Sequence, residues 1–120
     1  MSVKKLTPQD FELVSGNDKT LNFTTLDKDG KVVDLTGAIL IWAMSRTAAN
    51  KTRLITYTSP TNVVITDAAK GLFSVSIQAA DTEGLSGADY YHEVRLVNAG
   101  GLKITLVIGT MTLLDNIIDV

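Results

Sequence analysis

Cysteine is absent from the 120 residues. Its absence excludes a disulfide scaffold, thiolate zinc centres and cysteine nucleophiles. Histidine is reduced to one residue and proline to two. Long apolar runs are missing as well. The longest, over residues 38–44 and 104–109, have the length of strands, well short of the roughly 18 residues a membrane helix requires. The opening Met1-Ser2-Val3-Lys4-Lys5-Leu6-Thr7-Pro8 is polar and breaks at proline, without the apolar stretch of a signal peptide. The expectation is a soluble protein made in the cytoplasm, with no membrane partner. Positive charge is not in excess either. Eleven Lys and Arg face 13 Asp and Glu, for a net charge of −2, and Lys4-Lys5 is the one adjacent basic pair. Nucleic-acid binding calls for a basic stripe, so no nucleic-acid partner is expected.

What remains is ordinary for a folded protein: 45% apolar and 20% charged residues. The length suits one domain, residues 1–120, with a core large enough to need no crosslinks. Thr, Val and Ile supply 35 residues. These β-branched types favour strands over helices. Short apolar runs recur between turn residues, the rhythm of an all-β sandwich or barrel. Strands are expected at Phe11-Glu12-Leu13-Val14, over residues 20–26 and at Lys31-Val32-Val33. The turn Asp27-Lys28-Asp29-Gly30 closes the hairpin between the last two. Residues 38–45 are apolar at both parities, so both faces of that strand should be covered or one should meet a partner. Further strands are expected over residues 53–58 and 63–65. Residues 72–78 alternate most clearly, with Phe73, Val75 and Ile77 inward. A helical turn is expected within residues 79–85, a strand of mixed faces over 90–98, and a long last strand over 102–114, bent at Gly109. The whole predicts one antiparallel sandwich.

Candidate chemistry is sparse. His92, mid-strand beside Glu93 and Arg95, lacks the partners of a metal site or a triad and reads as structural. The stretch Asp27-Lys28-Asp29-Gly30-Lys31-Val32-Val33-Asp34 has carboxylates spaced somewhat like a calcium loop. Its glycine comes fourth and its twelfth position is Ala38, so the hairpin reading wins. No nucleophile elbow or phosphate loop is present, and no pair of carboxylates stands out as a glycosidase pair. The expectation is no enzyme, no catalytic or metal residues and no cofactor. Glu93 and Arg46 could pair across a sheet and fix register. The tail Leu113-Leu114-Asp115-Asn116-Ile117-Ile118-Asp119-Val120 is apolar where termini are usually polar. It docks either on its own sandwich or on a neighbour.

Several turns resemble a known family. Asp34-Leu35-Thr36-Gly37-Ala38 followed by Trp42 is similar to the approach to the second strand in immunoglobulin-like domains of bacteriophage tail and baseplate proteins. Ile65-Thr66-Asp67-Ala68-Ala69-Lys70-Gly71-Leu72-Phe73 resembles their Ile-Thr-Asp … Gly-x-Phe hairpin. Asp81-Thr82-Glu83-Gly84-Leu85, Gly87 and Tyr90-Tyr91-His92-Glu93 resemble their cross-over turn and Tyr-rich strand, and Gly109-Thr110-Met111-Thr112-Leu113 their closing strand. The resemblance covers residues 34–113. It departs at Ala88 and Asp89, two residues where the family pattern has one. It implies an immunoglobulin-like antiparallel sandwich of about seven to nine strands. It also implies a virion component of a tail, baseplate or neck, made in the bacterial host, whose partners are other virion proteins and copies of itself. It brings no catalytic residues. The alternative is a stand-alone module binding a host-surface glycan or protein. Its aromatic platform would have to come from Trp42, Tyr57, Tyr90 and Tyr91.

Overall fold

A computed structural model describes residues 9–27, 29–49 and 52–118. Eight strands follow one another: β1 (Phe11–Val14), β2 (Lys19–Thr24), β3 (Ile39–Ser45), β4 (Ile55–Thr58), β5 (Val63–Asp67), β6 (Leu72–Ile77), β7 (Ala88–Val97) and β8 (Lys103–Leu114). A 3₁₀ turn, Ala68–Lys70, links β5 to β6, and one helical turn, α1 (Ala79–Thr82), crosses between the sheets before β7. The sheets are five-stranded, in the order β1-β8-β7-β3-β4, and three-stranded, in the order β2-β6-β5. This is the immunoglobulin-like sandwich. The smaller sheet takes the places of strands B, E and D, and the larger those of G, F, C and C′, with the first strand carried across to pair with G.

Period-two alternation builds the core. β6 buries Phe73, Val75 and Ile77 and turns Leu72, Ser74 and Ser76 outward. Strand β3 buries Leu40, Trp42 and Met44, while Ile39, Ile41 and Ala43 face the other way. Trp42 stacks on Tyr57 of β4 at 5.3 Å, and Phe23 on Phe73 at 5.1 Å. Ring pairs in this range add about 1 kcal/mol each beyond their burial.

The structure corrects three expectations. The sandwich is not wholly antiparallel, because β1 runs parallel to β8, Phe11 opposite Met111 and Val14 opposite Leu114. Strands this far apart along the chain need no tight hairpin, which frees their direction. The arm Lys31-Val32-Val33 is reduced to one bridge, Leu26 to Val32, because Val33 and Leu35 leave the hairpin to enter the core. The strand expected over residues 53–58 forms over its last four. Strand β8 stays in register at Gly109, opposite His92. The irregularity lies between Val94 and Arg95, opposite Val107 and Thr105. Gly109 is required for close approach instead: a Cβ there would lie 2.3 Å from the Gln9 carbonyl oxygen. Ala88 and Asp89, which stand where the resembled pattern has a single residue, are absorbed into β7 opposite Leu113 and Thr112.

Candidate functional site

His92 lies in β7 with no exposed surface. Its Nδ1 accepts from the Trp42 indole at 3.2 Å, so its Nε2 carries the proton and donates to the Gln9 carbonyl at 2.6 Å. Phe11 meets the ring edge-on. Burial holds the imidazole below its ordinary titration range, against the opposing pull of the Gln9 bond and the Asp10 charge. Both nitrogens are occupied, and neither is offered to a substrate or an ion. Tyr90 explains the placement. Its hydroxyl donates back to the Ser86 carbonyl at 2.6 Å, the tyrosine corner of immunoglobulin domains, which sits two residues before their second cysteine. His92 therefore stands where that cysteine would be, and Trp42 bonds to it instead of packing on a disulfide. The spacing Tyr90-x-His92 in a cysteine-free chain was the legible signal for this substitution.

The aromatic residues do not form a platform. Trp42, Tyr57 and Tyr90 are core residues, and Tyr91 alone of the four turns outward. The Tyr57 hydroxyl donates to Asp81 at 2.5 Å and accepts from the Gln78 amide at 3.1 Å. Burial and the Asp81 bond raise its pKa to about 12. The Asp27 carboxylate accepts from the amides of Asp29 and Lys31, both at 2.9 Å, as the hairpin reading requires. Asp34 accepts from the Thr36 hydroxyl at 2.6 Å and from the Thr36 amide, which lower its pKa. Among the described residues no three metal-ligating side chains converge, and no helix is long and apolar enough to cross a membrane.

Two of the concavities among the described residues bear on function. The first is a trough of about 280 Å³ on the outer face of the larger sheet. Its floor is the β3 row Ile41, Ala43 and Ser45, paired in register with the β7 row Arg95, Glu93 and Tyr91. Arg53 flanks it from the β3–β4 connection. Burial, and then the Glu93 charge, raise the pKa of Tyr91, while Arg95 opposes them. The expected Glu93–Arg46 pair does not form. Glu93 shares its face with the odd-numbered residues of β3, and Arg46 lies past the strand end with the opposite parity.

The second concavity lies between the Ser15-Gly16-Asn17 turn, Glu83 and the C-terminal segment. Asp115 accepts from the Gly87 amide at 2.8 Å, and the Asn116 amide nitrogen donates to the Ser15 carbonyl. The root of the tail is thus fastened to its own sandwich. The isoleucines after it are not: Ile117 is 99% exposed and Ile118 67%. Asp119 and Val120 lie outside the described residues.

No family model and no curated protein matches the chain. Among solved structures it is similar to murine CRIg, with a TM-score of 0.43 and 13% identity over 92% of this chain and 94% of that one.

Proposed function

We propose that this domain is a non-catalytic structural subunit of a phage virion, in the tail, baseplate or neck, and works by assembling with other subunits and with copies of itself. The exposure of Ile117 and Ile118 carries this reading. Two adjacent large aliphatic side chains left in water are apolar surface that a partner can bury, at about 1.5–3 kcal/mol for each side chain fully covered. The outer row of the larger sheet, Ile39, Ile41 and Ala43, adds apolar surface, and Ile39 and Val64 are themselves exposed. The turn motifs over residues 34–113 supply the virion setting.

A stand-alone glycan-binding module is less well supported, since three of its four aromatic candidates are interior. Labelling tests the proposal. In particles of a phage encoding this chain, an antibody against the domain is expected to mark the tail or neck in negative stain. Particles free of label, from lysates that contain the protein, would contradict it.

A further inference from the structure

We infer that the Ile117-Ile118 segment of one copy docks in the trough between β3 and β7 of a second copy. The inference rests on the assembly reading and names its contact.

The two surfaces complement each other in chemistry. The trough has an apolar floor at Ile41 and Ala43, with Arg53 and Arg95 beside it. The C-terminal segment is the converse: its two isoleucines stand between Asp115 and Asp119, with no basic residue. Among the described residues that line the trough Glu93 is the one acid, against Arg53 and Arg95, so cations outnumber anions where the acidic segment would lie. Opposite charges at the ends of an apolar contact set its register and orientation more than its strength.

Geometry favours a second copy over the segment's own trough. Asn116 bonds to Ser15, which directly follows β1, and β1 is the far edge strand beside β8. The trough lies beyond β8, between β7 and β3, about 12 Å to the side at the usual strand spacing, and its Glu93 stands opposite Ile108, about 20 Å back along β8 from Leu114. The anchored root therefore keeps Ile117, the next residue, out of reach of its own trough. A segment of one copy in a trough of the next is a heterologous contact, which repeats into a ring or a filament. The stoichiometry follows from whether the rotation closes.

The cysteine-free chain allows a direct test by disulfide trapping. Ala43→Cys and Ile117→Cys are made as separate full-length variants, mixed in equal amounts and oxidised mildly. Glu93→Cys with Ile118→Cys serves as a second pair should either variant of the first fail to fold. Thr20→Cys, on the outer face of the other sheet, sets the collision rate with Ile117→Cys. The expected result is a mixed dimer forming about tenfold faster than that control, because docking raises the local concentration, and slowed by Arg53→Glu. Two results overturn the inference: mixed-dimer formation no faster than the control, or a double variant, Ala43→Cys with Ile117→Cys, that closes within one chain. If light scattering still shows oligomers when trapping fails, the assembly reading stands and this contact is wrong. If the protein is a monomer throughout, self-association falls together with this contact, and particle labelling decides the virion reading.

Discussion

His92 holds the clearest physical chemistry at the scale of single residues. Its neutral ring takes one hydrogen bond and gives another inside the core. Burial, which penalises the charged ring, holds the imidazole below its ordinary value of 6.5, and protonating Nδ1 would also set an N–H against the Trp42 N–H. The unfolded chain then binds more protons than the folded one wherever pH lies between the two values. Stability is full above the unfolded value and falls as pH drops through it toward the folded one. Melts from about pH 8 to about pH 5 are expected to show a falling Tm, with the fall reduced in His92→Gln. A slope unchanged by that substitution would assign the acid sensitivity to other groups. Gly109→Ala should cost about 1–3 kcal/mol by overpacking, read from chemical denaturation, because its Cβ has no space beside Gln9 and the His92 ring. The histidine's structural character was legible from its isolation in the sequence. Its partners were not, for they lie 50 and 83 residues away along the chain. Periodicity places a side chain on a face without naming what it meets there.

At the scale of elements, strand identity was written plainly and pairing was not. β6 was readable because Phe73, Val75 and Ile77 alternate with small polar residues. The same holds for β3, whose apolar outer row points to a covered face. The parallel β1–β8 pair and the bulge opposite Val94 depend on register between distant strands, which no local pattern encodes. Two hydroxyls tie elements together and can be tested. Tyr90→Phe removes the corner bond to Ser86 and is expected to cost about 1 kcal/mol. Tyr57→Phe removes the link from β4 to α1, through Asp81 and Gln78. It should cost about the same in neutral buffer and speed amide exchange at Gln78, whose N–H would lose its acceptor. An unchanged exchange rate at that amide would mean that the bond does not hold α1 in place.

At the scale of the whole molecule, a closed sandwich core stands beside an apolar segment that its own fold does not cover. The sequence showed that segment as an anomaly and left its docking open. The structure fastens its root at Asp115 and Asn116 and leaves Ile117 and Ile118 in solvent. Replacing both isoleucines with aspartate should reduce self-association and, at concentrations dilute enough for the protein to be a monomer, leave the Tm unchanged, since neither side chain packs on the core. A lowered Tm for the isolated domain would show that the segment packs on its own sandwich. The most direct test of the account is the solution mass of the unmodified protein, by light scattering on a sizing column over about a tenfold concentration range. The account predicts a mass above that of the 12.9 kDa chain, a fixed multiple for a closed ring and one that grows with concentration for a filament; a single-chain mass at every concentration would contradict its self-association.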